Sequence, residues 1–61
     1  MSHLIGMNAI ATTDKSKVKG KIARIYKHRV YIEQDGIQYG MKMSSVNSLK
    51  VFYQNGVVEY I

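Results

Sequence analysis

Two dipeptides, Asp35-Gly36 and Asn55-Gly56, constrain this chain more than anything else in it. Each stands between short runs rich in Val, Ile and Tyr: RVYIEQ and IQYGMKM around the first, KVFYQ and VVEYI around the second. Asp-Gly and Asn-Gly suit a two-residue type I′ turn, whose central residues both need positive φ. A two-residue loop fixes register, so the cross-strand partners can be written down directly. Around Asp35-Gly36, Gln34 faces Ile37, Glu33 faces Gln38, Ile32 faces Tyr39, Tyr31 faces Gly40 and Val30 faces Met41. One face then collects Val30, Ile32, Ile37, Tyr39 and Met41, a core face. The other collects Arg29, Tyr31, Glu33, Gln38 and Lys42, a wet one. Tyr31 opposite Gly40 is expected to cover the bare glycine.

The same exercise around Asn55-Gly56 pairs Gln54 with Val57, Tyr53 with Val58, Phe52 with Glu59 and Val51 with Tyr60. Val51, Tyr53, Val58 and Tyr60 then form the core face. Lys50, Phe52, Gln54, Val57, Glu59 and Ile61 form a mixed face, to be covered by a neighbouring subunit or by the N-terminal strand. The rest of the chain reads as extended structure too. Pro is absent, and no apolar i, i+3, i+4, i+7 stripe is long enough for a stable helix. Residues 3–12 read as a first strand, interrupted by Gly6 and Asn8 as at a bulge or bend. Residues 13–16 are a polar loop, 17–27 a long second strand, and Lys27-His28-Arg29 a tight turn. Residues 44–49 are too polar for a buried strand. Their serines suit a single helical or 3₁₀ turn, with Val46 and Leu49 pointing inward. These elements predict an all-β fold of five to six antiparallel strands with one short 3₁₀ turn, a single domain over residues 1–61.

A chain of 61 residues lies near the lower limit for folding on its own core. Such chains draw stability from disulfides, a metal, idealised packing or self-association. Cys is absent, which excludes disulfides and thiolate metal sites. His3 and His28 lie far apart in sequence with no carboxylate partner nearby, so neither a metal nor a cofactor is expected. Self-association through the 50–61 hairpin remains open. No apolar run approaches the ~20 residues of a membrane span. MSHLIGMNAI has no basic region followed by an apolar core, so it does not read as a signal peptide, and the cytoplasm is the default location. Met7 offers an alternative start to Met1.

The net charge is +5, and seven of the nine Lys and Arg residues fall within DKSKVKGKIARIYKHR, residues 14–29. A bias of this size favours polyanionic partners, of which nucleic acid is the commonest. Lys15, Lys17, Lys19 and Lys21 alternate along one ridge, which Arg24, Lys27 and Arg29 extend. Same-face residues of a strand repeat every ~6.6–6.8 Å, close to the phosphate spacing of an extended nucleic-acid strand. Lysines in such a file suit phosphate contacts, which give affinity without sequence readout. The alternative is that they decorate the solvated face of an edge strand and discourage aggregation. Single-strand binders also stack bases on exposed aromatic rings. Tyr31 is the main candidate, on the wet face beside Arg29 and Lys42. Tyr26 and Phe52 are secondary, while Tyr39, Tyr53 and Tyr60 are assigned to the core, as are Met7, Met41 and Met43. No His–carboxylate pair, nucleophile elbow or Gly-rich phosphate loop is present, so the chain does not read as an enzyme.

The lysine alternation breaks after Lys21. Strict period two would place Ile25 on the lysine face. A bulge near Ala23-Arg24 adds one residue, restores Ile25 to the core and bends the strand. At this point the chain resembles KOW and related SH3-like small barrels. Gly20-Lys21-Ile22-Ala23-Arg24-Ile25 is similar to their Gly-x-Val-x-x-Ile core, and Val46-Asn47-Ser48-Leu49 to the 3₁₀ element before their last strands. The likeness covers roughly residues 17–54 and implies an SH3-like barrel. Members of that group bind RNA, DNA, ribosomal surfaces or protein tails, so the likeness narrows the fold and not the function. The reading is therefore a small non-catalytic module contacting DNA or RNA phosphates through residues 15–29, with Lys42 and Tyr31. The alternative is a protein-interaction module, such as a small phage- or plasmid-type regulator docking on a host protein through its last hairpin or an open strand edge.

Overall fold

A computed structural model describes residues 2–61. Six strands follow in chain order: β1 (Asn8–Thr13), β2 (Lys17–Tyr26), β3 (Arg29–Gln34), β4 (Ile37–Lys42), β5 (Val46–Phe52) and β6 (Val58–Tyr60). Short 3₁₀ turns occupy Ser2–Leu4 and Met43–Ser45. All pairings are antiparallel, and one sheet runs in the order β4-β3-β2-β1-β5-β6. This is a small all-β domain compatible with an SH3-like fold. The ladder is open, with β4 and β6 at its two edges, where the sequence suggests a closed barrel.

A single sheet with no helix against it can bury one face only by curling over itself. Val30 and Ile32 of β3 share one cluster with Leu49 and Val51 of β5, although β2 and β1 lie between those strands. Ala9, Ala11, Val18 and Ile22 complete the cluster from β1 and β2, and Leu4 closes it from the N-terminal 3₁₀ turn. Each fully buried Leu, Ile or Val contributes about 1.5–3 kcal/mol of transfer free energy. No buried polar side chain interrupts this core among the described residues.

Two features of β2 produce the curl. A Cβ placed on Gly20 would lie 2.0 Å from the carbonyl oxygen of Glu33 and 3.1 Å from Cγ2 of Ile32. The backbone of β3 thus passes through the space that a side chain at position 20 would fill. Beyond it, register shifts between Ile22 and Arg24, the bulge that the broken alternation predicts. Ile25 accordingly packs against the core, opposite Val30. Gln34 Nε2 donates to the Lys19 carbonyl at 3.0 Å and ties the tip of β3 back to the bend.

The Asp35-Gly36 hairpin has the predicted register throughout, from Gln34 opposite Ile37 to Val30 opposite Met41. Asp35 at φ 54° and Gly36 at φ 82° supply the two positive dihedrals that the turn needs. Ile37 and Tyr39 nevertheless stay 55% and 40% exposed, because β4 is an edge and nothing covers the inner side of its tip.

The Asn55-Gly56 hairpin departs from expectation by one residue. Phe52 faces Val58, Val51 faces Glu59 and Lys50 faces Tyr60. The loop is a turn over Tyr53–Gly56, closed by Gly56 N donating to the Tyr53 carbonyl at 3.0 Å. Only Gly56 has positive φ, at 88°. Tyr53 N then donates to the Val57 carbonyl at 2.9 Å, so three residues are looped out, as in hairpins that end on a left-handed glycine. A one-residue slip exchanges the faces. Tyr60, assigned above to the core, stands 67% exposed.

Two boundaries also move. Residues 3–12 do not form one strand: a 3₁₀ turn ends at Leu4 and β1 starts at Asn8. Gly6, at φ 87°, turns the chain between them, and its N donates to the Ile22 carbonyl at 2.7 Å. The later 3₁₀ turn is Met43–Ser45, and Val46–Leu49 already belong to β5. Pairing with β1 along Thr12↔Ser48 and Ala11↔Leu49 overrides the polar composition that argues against a strand there.

Candidate nucleic-acid interface

Lys17, Lys19 and Lys21 are exposed on the outer side of β2, alternating with Val18, Gly20 and Ile22 on the inner side. The bulge keeps Arg24 and Tyr26 outward as well, so the file of cations does not turn into the core where the sequence pattern breaks. β2 is not an edge. It sits between β1 and β3, with both of its hydrogen-bonding sides occupied. Protection of a free edge therefore does not explain its lysines.

Lys15 stands in the β1–β2 loop, where it lines a groove together with Lys42 and Asn47. That loop is fixed by Thr13, whose Oγ1 accepts from the backbone N of Ser16 at 3.1 Å and of Lys15 at 3.3 Å. Asp14, the only acid in the basic stretch, accepts from Asn47 Nδ2 at 2.7 Å and is thereby held against β5.

At the far end of β2 the cations gather. Arg29 and Lys42 face each other directly across β3 and β4, a like-charge pair that disfavours the fold. Lys27 sits beside them in the two-residue turn between β2 and β3, with φ at 55°. Non-glycine residues enter this left-handed region at a cost of about 1–2 kcal/mol. Met43 N donates to the His28 carbonyl at 2.8 Å and clamps the turn onto the second 3₁₀ turn. Tyr26, Lys27, His28, Arg29, Tyr31, Lys42 and Ser44 together line a shallow groove.

The aromatic rings in this region are already engaged by cations. The Arg24 guanidinium stands 4.3 Å from the Tyr31 ring centroid and 5.9 Å from that of Tyr26. Lys27 Nζ lies 5.5 Å from the Tyr26 centroid. Tyr31 also shields Gly40, where an added Cβ would meet its Cε1 at 2.8 Å. Tyr31 is thus half-buried and serves as a cover and a rest for Arg24, while Tyr26, 56% exposed, presents more open ring surface.

The nine candidates divide between β2 and the elements around its far end. Lys17, Lys19 and Lys21 lie along the first half of β2, while Lys15, in the preceding loop, lines a groove with Lys42. Arg24, Lys27, Arg29, Tyr31 and Lys42 lie around the bend and the groove. Lys50 belongs beside the β2 lysines and escaped the sequence reading. On the outer face, Lys19 pairs with Ile10 on β1, Ile10 with Lys50 on β5, and Lys50 with Tyr60 on β6. The signal for it was present in the Lys50-Val51-Phe52 alternation, which the wrong hairpin register paired with the wrong partners. No group of three or more His, Asp or Glu residues that could hold a metal stands together among the described residues. No helix there is long and apolar enough to cross a membrane. Comparison of the chain with family models, curated proteins and solved structures finds no match in any of the three, so the side-chain geometry carries the functional reading.

Proposed function

We propose that this protein is a small, non-catalytic nucleic-acid-binding module that contacts phosphates through the outward cations of β2 and the groove at its end. The observation that carries this reading is the position of β2. A central strand has no need of lysines for edge protection, yet its outer side presents Lys17, Lys19, Lys21 and Arg24 in one file. The opposed pair Arg29 and Lys42, and the left-handed Lys27, are further places where charge is held against a local cost. A phosphate backbone would offset the Arg29–Lys42 repulsion by neutralising the cluster. Within this reading the fold is of the SH3-like, KOW-like kind. Gly20 and Ile25, which carry that likeness in the sequence, flank the bend of β2.

The test is a titration with labelled single-stranded and duplex oligonucleotides at two salt concentrations. Binding should fall steeply with salt. Replacing Lys17, Lys19 and Lys21 together by Gln should lower the slope of log K against log salt by about two to three, at ~0.7–0.9 per lost contact. Absence of binding at ~50 mM salt, where phosphate contacts are strong, sinks the proposal.

One observation favours a second reading. Val57, Val58 and Ile61 are all exposed at the end of the chain, and β6 leaves an open edge. A protein-interaction module would use such a surface by adding a strand or burying the apolar side chains. Recovery of one partner protein after nuclease treatment, with no oligonucleotide binding, would select it.

A further inference from the structure

We infer that the outer face of β5 and β6 is a base-stacking platform, which makes single-stranded nucleic acid the preferred ligand. The inference rests on the nucleic-acid reading above and adds a surface that the basic strand does not include. Phe52 and Tyr60 point outward from adjacent strands, in the rows Phe52↔Val58 and Lys50↔Tyr60. Backbone positions in that diagonal relation lie ~7–8 Å apart, within reach of aromatic side chains. An extended strand has its phosphates, and hence its unstacked bases, at a similar separation, so two rings at this spacing can each take one of two successive bases.

Lys50 Nζ lies over both rings, 5.2 Å from the Phe52 centroid and 5.6 Å from the Tyr60 centroid. A cation there is placed to meet the phosphate that joins the two bases. Two strands away, Lys19 and Lys21 lie in the same cross-sheet rows, through Ile10 and Asn8. The face thus combines rings and cations. Its nearest acid on β6, Glu59, lies in the opposite row with Val51 and accepts from Tyr53. An apolar partner would match the rings but leave these lysines desolvated, whereas an acidic one without flat groups would leave the rings unused. A single strand supplies both chemistries. In a duplex the bases are stacked on each other and offer the rings nothing.

The chain contains no Trp, so Tyr60→Trp creates a single reporter at the platform. The probes are a short labelled oligodeoxythymidylate and a duplex of equal length. The expected results are quenching of the Tyr60→Trp emission by the single strand and little change with duplex. Tyr60→Ala should weaken single-strand binding by roughly fivefold to a hundredfold while leaving duplex binding unchanged. Tyr60→Phe keeps the ring and should bind as the parent does. Circular dichroism and thermal midpoints that match the parent exclude a folding defect, which is the expected result at so exposed a position. If the parent binds single strands but Tyr60→Ala binds equally well, or the tryptophan stays unquenched in the complex, the platform is overturned and the phosphate reading stands. If the parent binds neither probe, the phosphate reading falls and the platform falls with it.

Discussion

Replacing Gly20 by Ala is the smallest change that tests how β2 bends. The added Cβ would sit 2.0 Å from the Glu33 carbonyl oxygen and 2.8 Å from its carbon. Both are backbone atoms, so no rotamer change relieves the contact. Restoring ordinary separation requires β3 to withdraw by more than an ångström. That movement breaks into a core where Ile22 and Ile32 face each other at 1% and 0% exposure. Overpacking of tight sites costs typically ~1–3 kcal/mol, and a clash with fixed backbone belongs at or above the upper end. A chain of 61 residues has a total stability of about 3–9 kcal/mol at the usual stability per residue. Gly20→Ala should therefore remove a third or more of it. In urea, with a slope near 1 kcal/mol per molar, the midpoint should fall by about 3 M or more, followed by circular dichroism. A variant whose midpoint lies within ~0.5 M of the parent would show that β3 does not cross β2 at this position. Gly40→Ala is the control, because there the close atom is Cε1 of Tyr31, the edge of a ring that can tilt. It should cost less than Gly20→Ala.

Lys27→Gly should move stability and binding in opposite directions. Leaving the left-handed region relieves ~1–2 kcal/mol, of which the extra freedom of Gly in the unfolded chain takes back ~0.5–1. The net gain of up to ~1.5 kcal/mol should raise the thermal midpoint by several degrees, while the salt slope of oligonucleotide binding drops by about one contact. A lowered midpoint, or unchanged binding, contradicts the account of Lys27. The Tyr53 phenol should titrate above the ordinary value of 10.0. Its hydroxyl donates to Glu59 Oε1 at 2.6 Å, and partial burial and the Glu59 charge act in the same direction. Since the folded state holds the neutral phenol, the stabilising effect is complete below pH ~10 and is lost as pH rises through the elevated value. Ultraviolet titration at alkaline pH should show one late tyrosine, and Glu59→Gln should bring it back toward the others. A Tyr53 that titrates with the rest in the parent refutes the contact.

The two turns that organised the sequence reading differ in one dihedral, and that difference decides how much of the site was legible. At Asp35-Gly36 both residues take positive φ, so period two carries the register through the whole hairpin and places Tyr31 over Gly40. At Asn55-Gly56 the asparagine spends its side chain locally. Asn55 Oδ1 accepts from Val57 N at 3.1 Å, and the positive φ falls on Gly56 alone. Both turns are open to the same pair of residue types, and composition does not choose between them. The choice moves every partner by one, which turned Tyr60 from an assigned core residue into an exposed ring and put Lys50 beside it. The basic strand escaped this error because its phase is set twice, by pairing with β1 on one side and by the bulge against β3 on the other. What alternation could not supply was the place of β2 in the sheet, since strand order depends on pairings between β1 and β5 that no local pattern encodes. That order is what removes edge protection as the reason for the lysines. The charge was visible from the sequence, but the case against edge protection came from the neighbours of the strand that bears it.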